Sequence, residues 1–264
     1  MEKEIRTTPD GHQLTVLKGS TIVWHTDYFN YKKEHDMNVT VNTKRMRVMI
    51  GALGMALPWL VALITWTWPG SISETYYSLY AVGTFMVILG SAGILLINYR
   101  GYEKIDDIMG TISGICGIGI CLFPMTYLPD PDMQTGALHL PSHISNIFHC
   151  TFAFGFFGIL AFMSFFLFTK TKGEMTQQKK IRNIVYRVCG VGMMASFLLM
   201  LLDFIPGVNI PNLTWIVETI ALTFFGVSWI VKSEATPVLR DKTIGKSKEI
   251  ADKCDTSTNE IKRI

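Results

Sequence analysis

Charge is scarce in this 264-residue sequence, and basic charge is absent from long parts of it. Charged residues make up 17% of the chain against 49% hydrophobic ones, and the mean hydropathy is +0.30. A domain with a fully solvated surface rarely shows that balance. Five cysteines, Cys116, Cys121, Cys150, Cys189 and Cys254, form no CxxC pair, which excludes a zinc finger and a disulfide framework. No Lys sits in the core of an apolar block, so a retinal Schiff base is excluded, and no glycine-rich phosphate loop or other cofactor motif is present. No cofactor is expected. Residues 1–45 hold no apolar run of signal-peptide length, so the first apolar block is expected to direct its own insertion.

What is there is apolar and clustered. Six blocks of about 19–27 residues stand apart on short polar segments, and roughly 20 apolar residues suffice to cross a bilayer as a helix. The expected spans are 46–68, 76–98, 107–128, 143–169, 183–205 and 212–231. Hydrocarbon offers the backbone no hydrogen-bond partner, so an all-α six-helix membrane bundle follows.

Orientation comes from Lys and Arg. Eight lie in 1–47, two in 99–107, six in 169–187 and eight in 232–264, together all 24, while 69–75, 129–142 and 206–211 have none. The positive-inside rule then makes both termini cytoplasmic, with the plasma (cytoplasmic) membrane as the expected location. The basic residues flank the inner leaflet, so membrane lipids are the expected partners and nucleic acid is not.

Residues 1–45 read as a cytoplasmic segment in which Gln13–Leu17 and Ser20–Trp24 flank Lys18-Gly19 as a short hairpin. His12, His25 and His35 lie there without metal-ligand spacing. The first span ends at Trp66 and Trp68, an interfacial anchor, and Ser73 with Glu74 is expected to cap the second helix. Gly110 and Gly114 form a GxxxG. Close packing inside the bundle is the first reading of that face, and a homodimer through the Gly-rich helices is the second. The segment 169–183 reads as a solvated basic loop, and 232–264 as a disordered tail.

Glu218, alone in the last span, is the residue that most needs an explanation, because a carboxylate in hydrocarbon is costly. On the fourth span Ser142, Ser145, Asn146 and His149 form a polar stripe in the outer half. At about 1.5 Å per residue, His149 and Glu218 each lie roughly 9 Å from the outer ends of their helices, with Asp203 about 3 Å from the end of its own. These three are expected to face one outward polar cavity, with Asn146 on its wall and Glu74 and Tyr77 at its rim.

The outer half carries five acids, Glu74, Asp130, Asp132, Asp203 and Glu218, and no Lys or Arg. Glu218 therefore needs a proton, a hydrogen-bond donor, His149 or a cation. Three classes stay open, and the reading leans away from an enzyme. One is a lipid- or envelope-associated protein whose outer cluster fixes helix packing. Another is a proton- or cation-coupled transporter or sensor using Glu218 and His149. The last is a membrane-embedded lipid hydrolase in which His149, Asp203 and Glu218 hold a metal or act as acid and base.

The outer segment Pro69-Gly70-Ser71-Ile72-Ser73-Glu74-Thr75, directly after the first span, resembles the Pro-x-Ile-Ser-Asp/Glu-Thr stretch of the damage-regulated autophagy modulator family. Tyr76-Tyr77 and the WxxET of Trp215–Thr219 look more like uncharacterised six-helix bacterial membrane proteins. The resemblance implies an integral membrane protein linked to lipids or the cell envelope. The last-helix HxxxH of the ceramidase and progestin-receptor superfamily is absent.

Overall fold

A computed structural model of the protein describes residues 3–7, 13–17, 25–101, 103–171, 175–200, 202, 210–235 and 239, with side chains from Thr43 onward. The chain divides into two compact units, residues 1–43 and 44–264. In the first, β1 (Lys3–Thr7) pairs antiparallel with β2 (Gln13–Leu17), Lys3 opposite Leu17 and Thr7 opposite Gln13. Gln13–Leu17 pairs with the strand before it, where the Pro9-Asp10-Gly11 run supplies a turn signal, and the hairpin expected about Lys18-Gly19 would need Ser20–Trp24 as its second strand. Ser20–Trp24 and His12 lie outside the described residues.

Helix α1 runs from His25 to Thr65, with Pro58 inside it. Trp66 follows at φ 54°, a left-handed residue of the kind that ends a helix, and Pro69-Gly70 prevents its resumption. A short 3₁₀ helix covers Ser73–Tyr77. The remaining helices are α2 (Val82–Ile97), α3 (Lys104–Leu122), α4 (Ser142–Phe162, continued by a π-helical turn over Met163–Leu167), α5 (Gln177–Met200) and α6 (Leu213–Lys232). Two-residue strands β3 (Gln134–Thr135) and β4 (Leu140–Pro141) pair within the loop before α4.

Among the described residues five segments are long and apolar enough to cross a membrane: Thr43–Thr65, Lys104–Leu122, Ser142–Leu167, Gln177–Met200 and Leu213–Lys232. The second expected span is shorter than 76–98. Its regular helix α2 has 16 residues, since 73–81 is taken up by the 3₁₀ helix and a turn. The fifth helix begins at Gln177, six residues before the expected start, and so takes in Lys179 and Arg182. Both are buried, which corrects the solvated-loop reading of that stretch: long cationic side chains can lay their stems along apolar surface and still continue a helix.

Consecutive helices pack on one another from α2 to α6, and α1 lies against α6. The α1–α6 approach depends on Gly51 and Gly226, where a Cβ on Gly51 would stand 2.7 Å from the Gly226 carbonyl oxygen. Gly114 of the GxxxG sits in the same way on Gly93 of α2, and Gly110 on Tyr99, so that face is used within the chain. The core is a column of rings, in which Phe156 meets Phe225, Phe225 meets Trp229, and Trp229 meets both Tyr99 and Phe168. Around it Val87, Ile94, Phe154 and Val191 point outward and exposed, as suits helices in lipid.

Candidate functional site

Polar side chains of α4 and α6 converge on one short loop, 69–77. Its local form is set by Ser71, whose Oγ accepts the Glu74 N–H at 3.0 Å and starts the 3₁₀ turn. Glu74 reaches back to accept the Gly70 N–H at 2.9 Å. Neither Ser73 nor Glu74 therefore caps α2, whose first turn has no side-chain cap. The expected capping is corrected: Ser71 and Glu74 instead bond backbone groups where the 3₁₀ helix begins.

Three elements then hold this loop. From α6, Glu218 Oε2 accepts the Ile72 N–H at 2.6 Å, and the Trp215 N–H donates to the Gly70 carbonyl at 3.0 Å. That backbone bond satisfies one of the donors left open in the first turn of a helix. From α4, His149 Nε2 lies 3.1 Å from Ser73 Oγ. The segment after α3 contributes the Met125 carbonyl, which accepts from Tyr77 OH at 2.5 Å. Ser71, Ile72 and Thr75 are buried as a result.

The tautomer of His149 follows from its partners. Nδ1 is 2.8 Å from the Phe123 carbonyl, which can only accept, so Nδ1 carries the proton. Nε2 is then the acceptor, and the Ser73 hydroxyl donates to it. The same face of α4 fixes the chain after α3 through Ser145 Oγ on the Pro124 carbonyl and Ser142 Oγ on the Pro131 carbonyl, both at 2.9 Å. The polar stripe expected on this helix is thus a row of loop anchors at Ser142, Ser145 and His149. Outside the spans, burial pushes the Tyr77 phenol above its ordinary value, with its hydrogen bond to Thr135 opposing.

Of the expected cavity residues, Glu218, His149, Glu74 and Tyr77 all meet the loop or belong to it. Asn146 does not join them; its Oδ1 faces the Cys150 thiol at 3.7 Å. Asp203 lies outside the described residues. Glu218 and His149 share no direct hydrogen bond among the described residues, yet they hold the consecutive residues Ile72 and Ser73. Among the described residues no three of His, Cys, Asp and Glu gather closely enough to hold a metal ion.

The partners that the sequence does not single out include the Ile72 N–H and the carbonyls of Phe123, Pro124 and Met125. These are backbone groups, and no residue type announces them. No family model matches the chain, and no curated protein or solved structure matches it either.

Proposed function

We propose that this chain is a six-span membrane protein of the plasma membrane, both termini cytoplasmic, whose lipid- or envelope-associated role uses the outer loop 69–77 as a latched element. The observation that carries this reading is the convergence of α4 and α6 on adjacent loop residues, His149 on Ser73 and Glu218 on Ile72. Two polar groups costly to place in a bilayer are both engaged in fixing one segment. The hydrolase reading needs these groups directed at a substrate, and their hydrogen bonds are directed at the loop instead.

Six spans are supported by the partition of Lys and Arg and by α2, which at about 1.5 Å per residue extends roughly 24 Å and is preceded by a turn that exposes Leu79 and Tyr80. The segment that resembles the damage-regulated autophagy modulator family is this same loop. A second reading, a proton-linked sensor or transporter, is favoured by one feature. Protonation of Glu218 would weaken its hold on the Ile72 N–H, and so change the loop that His149 also holds.

Proteoliposomes with an internal pH dye separate the two. A latch predicts no proton flux, together with faster maleimide labelling of Ser73→Cys when Glu218→Gln is added. Proton flux that Glu218→Gln abolishes would replace the latch by the transporter. Topology is checked by an impermeant maleimide on whole cells, which should label Asp132→Cys and leave Lys104→Cys unlabelled.

A further inference from the structure

At the end of the bundle away from the latched loop, four cationic side chains are buried together: Arg47 on α1, Lys179 and Arg182 on α5, and Lys232 at the end of α6. Arg47 Nη1 donates to the Lys232 carbonyl at 3.3 Å, and its guanidinium lies over the Tyr99 ring. Lys179 Nζ donates to the Phe168 carbonyl at 2.9 Å. Lys179 and Lys232 both stand over the Tyr186 ring, at 5.5 and 6.0 Å. All four have partners, with Asp106 on α3 and Glu234 just beyond α6 among the charges near Lys232, and the set adjoins an open surface.

That surface is a groove of about 500 Å³ between α1 and the residues after α6. Lys44 and Arg45 line it, and one turn further along the same helix Val48 and Met49 continue its floor. Ser233, Glu234 and Ala235 form the other wall, with Glu234 3.5 Å from Lys44 and 3.9 Å from Arg182. Two cations at the mouth and an apolar strip along the helix toward its membrane-spanning part make a surface with one charged and one oily end. We infer that this groove binds an anionic phospholipid, its phosphate against Lys44 and Arg45 and an acyl chain along Val48 and Met49. Basic pockets between helices at a membrane surface suit such head groups. The inference needs only that these helix ends lie at a membrane surface, and it does not rest on the latch.

The test uses the full chain purified in neutral detergent, with lipid retention read by native mass spectrometry. Phosphatidylglycerol should be retained at least tenfold more tightly than phosphatidylcholine. Lys44→Gln with Arg45→Gln, both outside the core, should lower that retention about twenty- to thirtyfold, from roughly a fivefold factor per surface cation. Lys180→Gln, an exposed cation at the same end, should leave it unchanged. Equal retention of the two lipids by the unaltered chain overturns the inference. So does a Lys180→Gln effect as large as that of the double variant. Displacement of phosphatidylglycerol by millimolar inorganic phosphate would assign the groove to the free ion and overturn the lipid.

Discussion

Glu218 on α6 accepts the backbone N–H of Ile72, 146 residues earlier in the chain, at 2.6 Å. The bond joins the last span to the loop that follows the first. It gives the carboxylate a donor in a half of the molecule that has no Lys or Arg. It gives the Ile72 N–H an acceptor at a position where the 3₁₀ turn supplies none. A buried amide left without a partner costs free energy of the order of a hydrogen bond, so each group answers the other's need.

Substitutions at Glu218 should separate charge from shape. A hydrogen bond to a charged group contributes about 1.5–3 kcal/mol and a neutral one about 0.5–1.5 kcal/mol. Glu218→Gln keeps an oxygen for Ile72 and should cost about 1 kcal/mol. Glu218→Leu leaves the amide unpaired and should cost about 2–3 kcal/mol. Thermal unfolding of the purified variants in one detergent measures both, and equal losses for Gln and Leu would show that the oxygen is not the working atom.

His149 and Ser73 should be energetically coupled. His149→Ala removes an anchor from the loop and another from the Phe123 carbonyl, so it should cost more than Ser73→Ala. In a double-mutant cycle the two changes should fall short of additivity by about 0.5–1.5 kcal/mol, the value of the bond they share. Additive losses would mean that His149 acts only on the segment after α3.

Much of this site was legible in the sequence. A lone acid in an apolar block, and polar residues recurring at helical spacing on the fourth span, mark Glu218, Ser142, Ser145 and His149. What stayed hidden was what they bind, because Ile72 N–H and the carbonyls of Phe123, Pro124 and Met125 are present at every position of every chain. At the other end, the Lys and Arg pattern marked the basic residues but not their burial. Lys179, Arg182 and Tyr186 follow helical spacing, yet the charge of the first two makes the stretch look like a loop until Phe168 is seen packed on Tyr186. The second span was placed too early because Tyr76–Ala81 prolong its apolar block, and only the surrounding contacts decide that this part is a 3₁₀ helix and a turn.

Tyr77 gives a pH signature. Its phenol titrates above the ordinary 10.0 because burial opposes the phenolate. A group whose folded pKa is raised contributes stability that is present below the unfolded value and is lost as pH rises through the folded one. Tyr77→Phe should therefore unfold earlier at neutral pH, by about 1 kcal/mol for the lost bond to Met125, and should lose less on going from about pH 8 to 11. Parallel alkaline limbs for the two proteins would assign the titration to other groups.

Two tryptophans at opposite extremes of exposure test how this bundle is held together. Trp229 is wholly buried and meets Tyr99, Phe168 and Phe225, whereas Trp66 is 87% exposed at the end of α1. In water both would gain by leaving solvent. In a bilayer the lipid is as apolar as the core, so association of helices rests on packing contacts rather than on transfer from water. Trp229→Ala opens a void among three rings and should cost about 3 kcal/mol, near the low end for a buried aromatic because the transfer part is small. Trp66→Ala opens no void and should leave unfolding in detergent unchanged within about 0.5 kcal/mol. Its effect should appear only in a bilayer, as a change in the depth at which α1 ends, read by quenching with lipids brominated at graded positions. A stability loss at Trp66 equal to that at Trp229 would place both in the core and remove the distinction between packing and anchoring.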